Sequence, residues 1–374
     1  MNLNSIVRTS LVTLCGVVLL SACREKKGAA AGREAKITGR PSDAPVVIEP
    51  KWAAGQRYVM RMESSQSYQL PDFAAMGRGG GAGAAGTNNP PLENNFALEY
   101  GLVVTNAPDH QRGLELEILA VEMVTARGDQ ELANYDSRNK VAPRNGPMTD
   151  VFDKLIGGKI YGLVGADNKV VKVEGLNELL DRVDPAAGPN AGPGRGAGAG
   201  GMGGGGMVRG MYNEDTFKQL IEMAGAPPKA VRVGESWPYT RETEAPIIGK
   251  LTVTTTNTLR GWQEHEKQKC ARVEFTGAII FSTNAAASPL AAFIKLQDGV
   301  VAGHYWFAPD LGIPVETVLQ QNMIINLTVP NMGGQRRRGN NPPDGATTNA
   351  TQSFSAPMRQ NISVKLLEIK PIGG

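Results

Sequence analysis

The sequence predicts an α+β fold that is mainly β: curved antiparallel sheet or sheets, half-barrel or sandwich-like, covered by a few short helices and interrupted by long disordered Gly-rich loops. Three observations carry this prediction. Apolar and polar residues alternate with period two along much of the chain, apolar stripes at helical spacing are few and narrow, and three low-complexity tracts punctuate the rest.

The alternation is clearest in RYVMRMESSQSYQL, where Tyr58, Met60, Met62, Tyr68 and Leu70 fall on one face and Arg57, Arg61 and Glu63 on the other. FALEYGLVV does the same with Phe96, Leu98, Tyr100, Leu102 and Val104. LELEI from Leu114, KLTVTTTNTL from Lys250, ARVEFTGAIIF from Ala271 and NISVKLLEI from Asn361 follow suit. Strands with one greasy and one polar face belong to antiparallel sheets covered on one side. DNK at Asp167 and PDLG at Pro309 carry turn chemistry between strands.

Helical stripes are fewer. Asn213 is placed to cap a helix with Glu214 and Asp215 in its first turn, an apolar stripe of Phe217, Leu220, Ile221 and Ala224, and an end marked by Gly225, Pro227 and Pro228. Leu176, Leu179, Leu180 and Val183 form a second stripe before Pro185, and a third short helix is expected from Thr149 to Ile156, stopping at Gly157. Narrow stripes need a surface to lie on, and the apolar side of a sheet supplies it.

The low-complexity tracts begin at Met76, Ala186 and Asn331. Gly, Ala, Pro and Asn bury too little surface to offset the entropy of ordering, so mobile loops are expected there. The first and third join alternating segments, as hairpin tips tolerant of insertion would. GMGGGG formally fits the dinucleotide pattern at Gly201, Gly203 and Gly206, but without a preceding strand or a following helix the match is compositional. The expected organisation is a signal peptide over 1–22, a lipidated disordered tether over 23–47 and a β-rich half over 48–185. A Gly-rich loop over 186–212 and a helix-plus-β half over 213–374 follow, with hairpin loops at 76–92 and 331–352.

The leader rests on LVTLCGVVLLSACREKK. The apolar run from Leu11 to Leu20 is about half the length that crosses a bilayer as a helix, and it follows a start whose one charge is Arg8. Leu20-Ser21-Ala22-Cys23 resembles the lipobox of bacterial lipoproteins. That resemblance implies cleavage before Cys23, diacylation of its thiol and acylation of the new amine, which together exceed the two signals stable attachment requires. Arg24 in place of Asp after the cysteine implies the periplasmic side of the outer membrane.

Of the formal net charge of +3, Arg8 leaves with the leader and the tether from Arg24 to Arg40 carries +4, which leaves the body at −2. A basic tether suits an anionic leaflet, each charge adding about 1 kcal/mol before screening. It also reads as a plain soluble spacer. The triple Arg336-Arg337-Arg338 has the flavour of single-strand nucleic-acid binding, but export argues for no nucleic acid. Of three cysteines, Cys15 is lost with the leader and Cys23 is consumed by lipid, so Cys270 has no intramolecular partner; the alternation of KCARVEF places it, half-covered, opposite Ala271, Val273 and Phe275.

AAGQRYVMRMES from Ala53 resembles RVGESWPYTRET from Arg232, and Asp167 and Asp310 each mark a turn between strands. Two related halves or two independent hairpins both fit. VGESW at Val233 to Trp237, a threonine-rich strand ending TLRGW, then CARVEF and GHYWFAPDLGIPVE are similar in order to a family of exported bacterial lipoproteins without assigned function. The same order resembles periplasmic lipoprotein carriers, which implies a curved antiparallel sheet closed by helices around an apolar cavity.

No catalytic constellation is legible. His110, His265 and His304 lie far apart and none has metal-ligand spacing with Cys, Asp or Glu. There is no G-x-S-x-G elbow and no phosphate loop. Asp310 and Glu316 read as a turn residue and a solvent-facing strand residue. No metal and no cofactor are called for, and the expectation is a protein that is not an enzyme. The leading expectation is a lipid-anchored envelope binding protein for an apolar or amphiphilic ligand, with Trp237, Trp262, Tyr305 and Trp306 as the aromatics to line its site. The alternative is an envelope scaffold that binds other proteins through exposed strands and loops.

Overall fold

The computed structural model describes residues 44–69, 90–139, 149–183, 214–222, 225–245, 249–282, 294–330 and 351–372. The leader, Cys23, most of the tether and nearly all of the three Gly-rich tracts lie outside the described residues. The first half contributes β1 (Gln56–Tyr68), β2 (Leu92–Asn106), β3 (Arg112–Arg127), β4 (Gln130–Asp136), α1 (Thr149–Leu155), β5 (Lys159–Val164), β6 (Val170–Glu174) and α2 (Leu176–Val183). The second contributes α3 (Glu214–Ile221), β7 (Ser236–Ala245), β8 (Gly249–His265), β9 (Gln268–Ser282), β10 (Ile294–Ala308), β11 (Ile313–Pro330) and β12 (Thr351–Pro371).

All twelve strands form one open, curved antiparallel sheet in the order β6-β5-β3-β2-β1-β12-β11-β10-β9-β8-β7, with β4 paired to β3 beside this path. The strands flanking the first and third Gly-rich tracts pair as expected of hairpin arms, Tyr68 opposite Leu92 and Pro330 opposite Thr351. Alternation sets the faces. Tyr58, Met60, Met62 and Tyr68 are buried on β1 while Arg57 and Arg61 point to the other side, where Arg61 donates to Glu63, Glu99 and Glu122.

Strands of up to 21 residues are far longer than the usual five or six, and long twisted strands coil when they pair. Gly277 and Gly303 stand where the backbone of the neighbouring strand approaches closely. A Cβ on either would land on the Thr254 or Val318 carbonyl of the neighbouring strand, so only glycine fits. The apolar face divides into two clusters, one under β1–β6 with the three helices and one under β7–β12, and Leu319 touches both.

The helices are one or two turns long, too short to persist alone in water, and each is held by its buried stripe. Val151, Phe152 and Leu155 of α1 are buried, as are Leu176, Leu179, Leu180 and Val183 of α2 and Phe217 and Ile221 of α3. The predicted cap Asn213 and stripe residue Ala224 fall outside the described residues. Because β6 and β7 are both sheet edges yet follow one another among the strands, the chain between them must travel from one edge to the other. α3 lies on that route. Phe217 packs over Gly162 of β5, where a Cβ would sit 2.7 Å from the ring, and Glu222 accepts the edge amide of Val170 on β6 at 2.9 Å.

Candidate ligand cavity on the inner face

A cavity of about 230 Å³ lies on the apolar face, at the seam between the two clusters. Its lining runs from Tyr100 on β2, through Met60, Ile362, Leu319, Val301, Phe275 and Val253, to Arg241 on the edge strand β7. Eight neighbouring strands contribute. Spaced about 4.8 Å apart, they would span over 30 Å if flat, so the sheet must curl to bring both ends to one space. The remaining wall is Leu220, Ile221 and Glu222 at the end of α3, together with Pro50 and Trp52.

Local chemistry fixes these walls. Pro50 and Trp52 belong to an extended segment held by the paired amides of Val46 and Val231 and by Lys51 N–H donating to the Gly312 carbonyl at 2.6 Å. Gly312 adopts φ +69°, and a Cβ there would strike Lys51. The Trp52 ring meets Tyr58 edge-on at 5.1 Å, and the Tyr58 hydroxyl accepts the Ala53 N–H at 3.0 Å. After α3, the Gly225 carbonyl accepts the Trp237 indole N–H at 2.7 Å and the Tyr305 hydroxyl at 3.4 Å. These two aromatics latch the end of the helical segment to the sheet.

One row of the inner face is polar. Asn94, Gln66, Gln360 and Gln321 stand opposite one another across β2, β1, β12 and β11, and the row continues through Val301 and Gly277 to Thr255 and Tyr239. Gln360 is 0% exposed, and neither its amide nitrogen nor its oxygen has a hydrogen-bond partner among the described residues. Ser64, in the next row, has a buried hydroxyl in the same position. Such groups ordinarily cost about 1–3 kcal/mol each. Of this row, Gln321, Val301, Thr255 and Tyr239 line the cavity.

The four aromatics singled out in the sequence separate in the structure. Tyr305 lines the cavity, and Trp237 is buried beside it as a latch. Trp262 and Trp306 do not line it. Trp262 sits at a bulge after Gly261 with the Lys269 ammonium 5.1 Å from its ring centre. Trp306 faces outward because it alternates with Tyr305 and Phe307, both buried. There it stacks on His265 at 4.0 Å, meets His304 edge-on at 4.3 Å and donates to Gln263 at 3.2 Å. His265 Nε2 in turn lies 2.7 Å from Glu316. Among the described residues no group of three His, Cys, Asp or Glu is placed to hold a metal ion.

Burial lowers the His304 imidazole from its ordinary value, and Arg272 beside it acts in the same direction, against weaker pulls from Glu316 and Glu274. The unfolded chain therefore takes up a proton as pH falls through about 6.5 while the folded chain resists, so stability falls on acidification. The urea midpoint is expected to drop between about pH 7.5 and about pH 5.5, and to drop less in His304→Gln.

Cys270 corrects the expectation of a half-covered thiol. It is 0% exposed, in a small cluster with Ala308 and Val315 beneath Trp306, and burial raises its thiol to about 11. The expected result of maleimide labelling is no reaction in the native protein and full reaction in denaturant. A thiol this buried and this weakly acidic offers no thiolate at neutral pH.

A model for a family of unknown function, DUF6263, matches residues 112–288, from the start of β3 to just beyond β9. No curated protein matches the sequence. Among solved structures, the chain is similar to one determined for lipid–protein interactions in lipovitellin, with a TM-score of 0.40 and 9% identity over 87% of this chain. The chain spans about a quarter of that protein's length, 26%. It is also similar to an outer membrane channel from Pseudomonas putida F1, with a TM-score of 0.19 and 8% identity over 85% of this chain and 98% of that one.

Proposed function

We propose that this protein is a lipid-anchored component of the bacterial envelope that binds an apolar or amphiphilic ligand between its curled sheet and α3. The observation that carries the reading is the cavity itself. Eight strands, a helix end and a proline-tryptophan segment converge on a space whose wall is largely Met, Leu, Ile, Val and aromatic side chains. Ligand sites are concave, mainly apolar and fitted with a few polar groups, which describes this one. About 230 Å³ lies just under the usual range of about 300–1,000 Å³ and suits one short chain or ring system rather than a multi-chain lipid. The resemblance of Leu20 to Cys23 to a lipobox supports the anchor, and Arg24 after it supports the outer membrane, periplasmic side.

The test is native mass spectrometry and organic extraction of protein purified from cells. A bound apolar or amphiphilic molecule, released on unfolding, is the expected result. Protein that carries no such molecule and takes up no apolar fluorophore would remove the reading. The scaffold alternative draws on Ile280, Val300 and Ile324, all exposed on the outer face. A defined protein crosslinked to that face in cells, with no ligand recovered, would favour it.

A further inference from the structure

The charged groups of the cavity lie at one end. Toward β1, β2 and β12 the lining is Met60, Tyr100, Ile362 and Val364, with Trp52 and Leu220 opposite. Toward the β7 edge it changes to Arg241, Thr243 and Tyr239, with Glu222 facing them from the end of α3. Between these ends the wall is mixed, with Thr317 and Gln321 beside Leu319 on β11 and Thr255 and Asn257 beside Leu251 and Val253 on β8, so what sets the β7 end apart is charge, Arg241 and Glu222.

Among the described residues Arg241 is the one cation in that lining. Most basic side chains of the sheet have a carboxylate within reach, as Arg57 has Glu117, Arg61 has Glu99 and Glu122, and Lys365 has Glu266. Among the described residues Arg241 makes no ion pair, and its charge acts on the neighbouring Tyr239 hydroxyl, two positions along the same face of β7. The acid that faces it, Glu222, already has one oxygen on the Val170 amide of β6. A guanidinium at the rim of an apolar space is a fork of donors matched to a carboxylate or a phosphate, and a partly dry site makes that pairing stronger than in water.

We propose that the cavity takes a single-chain amphiphile with an anionic head, its chain against Met60, Leu319, Ile362 and Val364 and its head on Arg241 and Tyr239 at the β7 edge. The assignment rests on the cavity being a ligand site. It adds which way the ligand lies and which charge it carries. The chain displaces water from the apolar end, and the head stays at the rim, where the edge of the sheet leaves it partly solvated.

Titration calorimetry of the delipidated full mature chain carrying Cys23→Ser, which removes the protein's own acyl groups, separates the possibilities. Octanoate and octyl phosphate are expected to bind at least tenfold more tightly than octanol, with acetate and inorganic phosphate giving no measurable binding. Arg241→Gln is expected to bring the two anions down to the level of octanol, and Arg241→Lys to recover part of the difference. The wild-type ratio decides the matter even if a variant fails to fold, and it should shrink as salt is raised. Equal affinity of octanoate and octanol in the wild type would mean that Arg241 only guards an edge strand. That result would overturn the head assignment and leave the cavity reading standing. Binding of acetate or phosphate as tight as that of octanoate would overturn it too, as would a preference that survives Arg241→Gln. No binding by any probe, with no ligand recovered from cells, would overturn both readings.

Discussion

Leu319→Trp should abolish uptake of an apolar fluorophore while leaving the sheet folded. Leu319 lies midway along β11, half-buried, between Gly303 on β10 and Ile362 on β12, and it is the residue both apolar clusters share. Inserting volume into a packed core costs about 1–3 kcal/mol. Here the indole can occupy the existing cavity, so that cost is largely avoided and the unfolding free energy from urea denaturation is expected to stay within about 1 kcal/mol of wild type. Fluorophore affinity should fall at least tenfold. Retained binding in a folded Leu319→Trp protein would place the ligand somewhere other than this seam.

Trp237→Ala is expected to cost about 3–5 kcal/mol, the range for removing a buried aromatic ring. Two losses combine. The ring is buried in the β7–β12 cluster, and its indole N–H is the shorter of the two donors that hold the Gly225 carbonyl, and with it the end of the α3 segment, against the sheet. Trp237→Phe keeps most of the apolar contact and loses the donor, for about 1–2 kcal/mol, the Tyr305 hydroxyl still serving the same carbonyl. Urea unfolding at constant slope measures both. If the alanine variant lost less than about 1 kcal/mol, the latch would not be what fastens this wall.

Most of the sheet was legible because its signal is local. Period two along RYVMRMESSQSYQL or ARVEFTGAIIF depends on neighbours two positions apart, and Tyr58, Met60, Met62, Val273 and Phe275 are indeed buried on one side. The stripes of α1 and α2 were equally local. β4 was not seen, because QELANYD has little alternation and is held by its pairing to β3. Strand order could not be read either, since nothing within β1 or β12 says that they are neighbours.

The candidate site was legible only in kind. A curved sheet closed by a helix around an apolar space was expected, but of the four aromatics proposed for it only Tyr305 lines it. Trp306 was misplaced because a sequence window shows how aromatic a strand is, not which face borders a hollow. Gln66, Gln321 and Gln360 passed unnoticed because each belongs to a different strand and becomes a row only through register. Arg241 had a weak sequence signal, a lone cation on the same period-two face as Tyr239 and Thr243.

The pairing of β1 with β12 has a consequence for how the protein reaches its folded state. Tyr68 meets Met358 across 290 positions of chain, whereas each remaining neighbour in the two meanders is local. Hairpins can zip in microseconds, but contacts so remote must first overcome loop closure and are slow. Each half can therefore assemble early and wait with one long, unsealed margin along β1 or β12. Until β12 arrives that margin is an unpaired row of backbone donors and acceptors, open to pairing with a second unfinished copy.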